Sequence, residues 1–480
     1  MTIAHGERHV VLTRRLPDIE SEQLRLIEEG RLYLESCSSN GVDVAESELC
    51  RLAAWAPGPS RNVLDSFRGR PFSLKRKLLC LLEAALKPTY RLVSADGPAG
   101  STSDLVVVSW VSRKDFADDG FHDDRYFGVS SRDDLSVNWV LLSVDGFVPA
   151  RVAENVRIVV SKRRSVLARL RQLGRVLTIV AASRGLERDH GMHAMSALGS
   201  PSRIMARTIE SSLASDAAEF GVLIAYEAQC YQHGIVQRLK SKLPSVQVTG
   251  YLHSALPALP TDFLHRDGAP DVLLVNGSGQ AHILLKHLGW PAGSVVAIEA
   301  LRYQEGSLVP EAGEIFLPYT LTPDNNWLAV LSAYLEAQRP ASLAPLVVRN
   351  HPDMFDSPEH LRLTRELDSL LVRYSNRFSD GHAARHLSIL FGASAAGLEC
   401  VEAGIELVQF SNDPVTEVRT HCLWDELQVR SVVDDAFEYD LLRPNAYIRR
   451  GQAGRKLRDV LVDSELRALT AARREIRESA

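Results

Sequence analysis

From about residue 104 onward, short runs of apolar, often β-branched residues alternate with longer stretches of helical periodicity. The runs are LVVVSWV (105–111), WVLLSVD (139–145), VRIVVS (156–161), GVLIAYE (221–227), VQVTGYL (246–252), DVLLVNG (271–277) and SVVAIEA (294–300). Most are apolar on both faces. A strand buried on one side alternates and a strand buried on both does not, and the connections here are often long enough to hold a helix. The pattern predicts a parallel sheet covered by helices, a Rossmann-like unit over 104–317. Residues 1–103 read as a largely helical region of the same unit, interrupted by turn chemistry at WAPGPS and DGPAGSTSD.

The pattern breaks at FLPYTLTPDNNW (316–327), and a linker is expected over 318–339, ending in the helical WLAVLSAYLEAQ. Alternation resumes over 340–454 with APLVVRNHPD (344–353), a helix near 358–374, HLSILFGASAAGLECVEAG (386–404) and ELVQFSND (406–413). This predicts a second Rossmann-like unit, with one or two closing helices over 455–480. The fold expected is α/β, two Rossmann-like domains facing a cleft, with ligands at the carboxyl ends of the strands.

Composition narrows the partners. A length of 480 residues suits at least two domains, and 45% hydrophobic with 24% charged residues is a globular balance rather than a disordered one. The net charge of -5 gives no global field for nucleic acid, which is not an expected partner. Cys37, Cys50, Cys80, Cys230, Cys400 and Cys422 lack the close pairing of zinc or redox sites, so no metal is expected. The opening MTIAHGERHVVLTRRLP has no apolar signal core, and no apolar run approaches the ~20 residues that span a bilayer, so a cytoplasmic location is expected.

Two stretches suit peripheral membrane contact, LKRKLLCLLEAALK (74–87) and KRRSVLARLRQLGRV (162–176), the second with six basic and no acidic residues. In it Val166, Leu167, Leu170, Leu173 and Val176 share a helical face, which equally fits a domain helix with a solvated basic side.

Candidate chemistry gathers at strand ends. Asn350, His351 and Pro352 follow the run LVVR. Proline stops the strand and holds His351 at its tip, where an imidazole donates to a phosphate or protonates a leaving oxygen. Gly392, Ala393, Ser394 and Ala395 follow the run LSILF, and small residues there let backbone N–H groups approach a phosphate, with Ser394 adding a hydroxyl. Glu399 falls about one and a half turns into the helix that follows, where it would meet ribose hydroxyls.

Glu227 closes GVLIAYE, a carboxylate suited to take a proton from an acceptor hydroxyl or to stabilise an oxocarbenium-like centre. Gln229 follows it. His253, after the next run, either orients the acceptor or Glu227, or is a buried structural imidazole. Asn276 stands at another strand end and is taken with Gln229 and His253 as acceptor-binding. Asp119, in an acidic loop of Asp115, Asp118, Asp119, Asp123 and Asp124, is a reserve base; the loop also reads as a solvated turn or an incidental cation site.

The His-Pro strand end followed by Ser394, Glu399 and Gly404 resembles the donor domain of GT-B transferases that use CMP-activated acidic sugars, among them bacterial sialyl-, polysialyl- and Kdo transferases. The resemblance implies that His351 assists departure of the CMP phosphate, Ser394 binds it and Glu399 holds the ribose. Val348, Arg349 and Asn350 stand where the family has Lys-Pro before the histidine. In order, Glu227-Ala228-Gln229-Cys230-Tyr231-Gln232, then Gly250-Tyr251-Leu252-His253, Asn276-Gly277 and Glu299–Tyr303 resemble a family of bacterial surface-carbohydrate biosynthesis proteins with a Glu-x-Gln-x-Trp-Glu segment before Gly-Tyr-x-His. Here Tyr231 and Gln232 replace the tryptophan and second acid. Asp118-Asp119-Gly120 is similar to the acidic-pair-glycine motif of polysialyltransferases.

The implied activity is transfer of Kdo or another nonulosonic acid from its CMP donor to a glycan or lipid-linked glycan acceptor, with no cofactor beyond the CMP-sugar. A UDP- or GDP-sugar or CDP-polyol donor on the same fold is a second reading. A non-catalytic carbohydrate-assembly protein is a third.

Overall fold

The computed structural model describes residues 5–39, 86–94, 102–162, 165–182, 200–215, 218–304, 313–319, 326–338, 343–351, 357–379, 384–433, 435–452 and 454–463, with a few single positions between them. It is a mixed α/β structure built on a large, mostly parallel sheet.

The strands are β1 (Thr89–Ser94), β2 (Leu105–Val111), the small hairpin β3 (Asp123–Asp124) with β4 (Val129–Ser130), then β5 (Asn138–Ser143), β6 (Val156–Lys162), β7 (Gly221–Ala225), β8 (Val248–Tyr251), β9 (Val272–Val275) and β10 (Val295–Ala297). Eight of them form one sheet in the order β1-β6-β5-β2-β7-β8-β9-β10. Every pair is parallel except β1 with β6. All residues of β2, β5 and β7 are buried, as their unbroken apolar runs require of strands covered on both faces. Each valine, leucine or isoleucine side chain removed from water there contributes ~1.5–3 kcal/mol. β1 lies in a region expected to be largely helical. It is a half-buried antiparallel edge strand whose short TYRLVS carries no periodicity long enough to stand out.

The helices are α1 (His5–Ser39), α2 (Val166–Ala182), α3 (Ser202–Ser212), α4 (Cys230–Lys242), α5 (Ser278–His287), α6 (Trp327–Ala337), α7 (Pro358–Arg373), α8 (Ala396–Glu402), α9 (Pro414–Glu417) and α10 (Leu457–Val462). Among the described residues no helix is long and apolar enough to cross a membrane.

β11 (Ala300–Gln304) leaves the large sheet. A second sheet of six strands follows, from β12 (Glu314–Phe316), β13 (Val347–Arg349), β14 (Leu387–Phe391), β15 (Glu406–Phe410), β16 (Leu427–Val433) and β17 (Ala436–Leu441), in the order β13-β12-β14-β15-β17-β16. β12 was expected to close the first unit. It pairs instead in parallel with β13 and β14, because Ile315 is packed with the second sheet's own apolar residues. The four strands β13, β12, β14 and β15 run parallel, so their carboxyl ends share one edge.

The chain then returns to the first sheet. Glu402 of α8 accepts the backbone N–H groups of Asn445 and Tyr447 at 2.7 Å and of Ile448 at 3.1 Å, holding the returning segment in place. Gly279 donates to the Ala446 carbonyl at 2.7 Å and Gln280 Nε2 to the Tyr447 carbonyl at 2.6 Å. β18 (Arg450–Gly451) pairs with β11. Arg458 of α10 fixes the end, with Nη1 2.8 Å from Asp104 and Nε 3.0 Å from Asp134. α1 adds a second tie, since the fully buried Gln23 donates to the carbonyls of Val415 and Val418 at 2.9 and 2.8 Å. The two sheets are thereby joined through one continuous apolar cluster that includes Tyr226 and Leu252 from one and Leu398 and Trp424 from the other.

The returning segment leaves no room at Gly277, where an added Cβ would stand 2.7 Å from the Tyr447 carbonyl carbon. Gly277→Ala should therefore lower the unfolding free energy by ~1–3 kcal/mol in urea titration. An unchanged midpoint would show that residues 445–448 are not seated there.

Candidate functional site

The parallel register brings the carboxyl ends of β2, β7, β8 and β9 to one edge, and Glu227 stands just past the tip of β7. The backbone is fixed there. Ala228 adopts φ 54°, a left-handed conformation that costs a non-glycine residue about 1–2 kcal/mol. Gln232 compensates: its side-chain oxygen accepts the N–H groups of Glu227 and Gln229 at 3.0 Å each, while its Nε2 donates to the Ala225 carbonyl at 2.6 Å. A carboxylate at 232 could accept but could not donate, so the glutamine serves the turn.

His253, just past the tip of β8, sets its Nε2 3.0 Å from Oε1 of Glu227, and Gln229 Nε2 donates to Oε2 at 3.0 Å. Tyr126, carried in by the loop after β2, closes the wall with its ring 4.4 Å from the His253 ring and 5.2 Å from Trp110. Burial alone pushes the Glu227 carboxyl up, but His253, Gln229 and Arg302 outweigh it and hold the group below its ordinary value. Burial pushes His253 down, against the pull of Glu227. The pair is thus a carboxylate beside a neutral imidazole, with the proton assigned to Nε2 by the facing carboxylate. Nδ1 of His253 is buried with no hydrogen-bond partner.

The edge of the second sheet supplies the other candidates. Glu399, fourth residue of α8, lies beside the Tyr303 hydroxyl and in the field of Arg302, Arg450 and Arg349; burial raises its pKa against those cations. The Arg302 guanidinium also lies within electrostatic reach of Glu227 and His253. His351 and Ser394 follow the carboxyl ends of β13 and β14, the two strands that flank β12. They share an edge of one sheet, and both are half-buried.

The His351 ring meets Tyr319 edge-on at 5.2 Å. Asn350 accepts from Thr364 Oγ1 at 3.2 Å. Gly392 turns the chain at φ 64°, which its lack of a Cβ permits, and donates to the Phe410 carbonyl at 2.8 Å. Ser394 Oγ accepts the Ala396 N–H at 3.2 Å, opening α8 after Ala395. Pro352 lies outside the described residues.

Two expectations are corrected. Asn276 is fully buried, accepts from Tyr251 Oη at 2.9 Å, and donates to the carbonyls of Leu252 and Ser254 at 3.0 and 3.2 Å. It holds the segment that carries His253 and presents nothing to an acceptor. Asp119 is exposed and paired with Arg132, while the Gly120 carbonyl accepts the Ala153 N–H at 3.1 Å. Its partners are those of a turn, and Glu227 is not among them. Arg302, Tyr303 and Tyr126 join the site from outside the candidate residues, although Arg302 and Tyr303 belong to the Glu299–Tyr303 motif.

No family model matches the sequence, and no curated protein matches it. Among solved structures, the N-terminal domain of trehalose-6-phosphate phosphatase from Candida albicans is similar at a TM-score of 0.31 and 12% identity, over 64% of this chain and 82% of that one. That likeness is too slight to bear on fold or reaction.

Two of the buried histidines, His253 and His233, have pKa values depressed chiefly by burial. Between the unfolded value of ~6.5 and the lower folded value, the unfolded chain binds more protons, so stability is full above pH ~6.5 and falls as pH drops below it. The expected slope is about 1.4 kcal/mol per pH unit for each histidine, read from denaturant melts across that range, and His253→Gln should flatten it. A slope that His253→Gln leaves unchanged would contradict the assignment of His253 as buried and neutral.

Proposed function

We propose that the chain is a glycosyltransferase of GT-B arrangement that moves a sugar, most simply Kdo or another nonulosonic acid, from a CMP donor to a glycan acceptor. The observation that carries this reading is the buried Glu227 carboxylate set 3.0 Å from His253 at the carboxyl edge of one sheet, with His351 and Ser394 at the carboxyl edge of the other. Two strand edges that present a base on one side and a cation-rich, small-residue edge on the other suit sugar transfer between an acceptor and a nucleotide donor.

In this mechanism Glu227 accepts the proton of the acceptor hydroxyl, held in place by His253 and Gln229. The acceptor oxygen forms the new bond to the anomeric carbon as the bond from that carbon to the CMP phosphate oxygen breaks, its electron pair leaving with CMP. His351 donates a hydrogen bond to the departing phosphate, Ser394 adds its hydroxyl, and Arg302, Arg349 and Arg450 offset the growing negative charge. Glu399 takes the ribose hydroxyls, and the resemblance of the Ser394 and Glu399 spacing to CMP-sugar transferases supports CMP over other nucleotides.

Glu227→Gln should lower kcat by about 10²–10⁴ while leaving nucleotide affinity near that of the native chain, and His351→Ala should lower it by roughly a hundredfold or more. Wild-type turnover in both variants would remove them from the chemistry. A thermal-shift series against CMP, UDP, GDP and CDP tests the donor: CMP alone should stabilise, by ~2.7 kcal/mol at a hundredfold excess over Kd. A response to another nucleotide alone would overturn the CMP assignment, and a response to none would favour a non-catalytic carbohydrate-binding protein.

A further inference from the structure

Helix α2 divides its apolar side chains between a buried and an exposed side. Gln172 and Val176 are buried at 2% and 0% exposure, whereas Leu170, Leu173 and Leu177 stand out at 60%, 37% and 54%. The apolar face expected from the sequence is therefore split, with Val176 turned inward and Leu170 and Leu173 outward. The side chains of Val166 and Leu167 lie outside the described residues, as do residues 74–85 of the other basic stretch. At ~100° per residue the three exposed leucines fall within an arc of about 60°. Gly174, beside that arc, has nothing within 4 Å of where a Cβ would stand.

Arginines border the stripe. Arg169 borders it on the side of Leu173 and Arg171 on the side of Leu170, both exposed, and residues 162–182 contain no acidic residue. A solvated helix needs no row of exposed leucines, and a helix packed on a protein partner needs no uniform positive border. Leucines immersed to acyl depth with guanidinium groups level with the headgroup phosphates satisfy both features at once.

We propose that α2 docks the protein on an anionic lipid bilayer, leucines inward and arginines on the phosphates. α2 begins four residues beyond Lys162, the carboxyl end of β6 and so the same edge of the sheet that bears Glu227. The proposal stands on α2 alone and does not depend on the transferase reading.

The test is sedimentation of the full chain with vesicles of phosphatidylglycerol and, separately, of phosphatidylcholine. The native chain should bind phosphatidylglycerol vesicles, more weakly as salt is raised, and bind phosphatidylcholine vesicles at least about tenfold less. Leu170→Ser with Leu177→Ser, and separately Arg169→Glu with Arg171→Glu, should each reduce binding by about tenfold or more. All four positions are exposed, so circular dichroism and the thermal midpoint should stay unchanged and exclude unfolding as the cause. Equal binding to the two lipids, no binding by the native chain, or full binding by the folded variants would overturn the proposal. So would a native dimer in gel filtration that the leucine variant dissociates, because the stripe would then be a protein interface.

Discussion

A carboxylate drawn out of water must be compensated or it protonates, and the arrangement around Glu227 depends on how that compensation is made. Burial favours the neutral acid. A hydrogen bond from His253, another from Gln229 and the field of Arg302 reverse the preference, leaving an anion held in one orientation beside a neutral imidazole. The surrounding structure serves that pair: Asn276 fixes the segment bearing His253, Gln232 fixes the turn bearing Glu227, and Tyr126 with Trp110 walls off solvent. A left-handed alanine between Glu227 and Gln229 is a local strain that the Gln232 hydrogen bonds make tolerable.

The second constraint is the return of residues 445–463 to the first sheet. Without it the two sheets would be joined mainly by the segment after β11 and by α1. With it, Glu402 and the Gly277–Gly279 contact fix how the edge carrying Glu399 lies beside the edge carrying Arg302 and Tyr303. The relative placement of these groups therefore depends on the hydrogen bonds that Glu402, one turn from Glu399, accepts from the returning backbone. A small shift in the returning strand would weaken Arg302 as a common neighbour of Glu227 and Glu399.

The sequence reveals unequal parts of this. Unbroken apolar runs such as LVVVSWV and GVLIA identify the parallel strands, because burial on both faces leaves no polar alternation to confuse with a helix. Glu227 and His253 are legible for a related reason: polar residues directly after such runs mark carboxyl tips. The same rule misplaces Asn276, since a polar side chain at a strand tip can satisfy neighbouring carbonyls as readily as a ligand, and nothing local distinguishes the two. Arg302 and Tyr303 gain their meaning only from Glu399, a contact across the chain that no spacing encodes. α2 shows a different limit: of the apolar residues placed on one helical face, Val176 is buried while Leu170 and Leu173 are exposed.

The account rests on Glu227 and His253 acting as a coupled pair rather than as two separately buried groups. A double-mutant cycle with Glu227→Gln, His253→Phe and the double variant, read as unfolding free energy at neutral pH, measures that directly. The account predicts a coupling energy above about 1 kcal/mol. Effects that add within about 0.5 kcal/mol would contradict it.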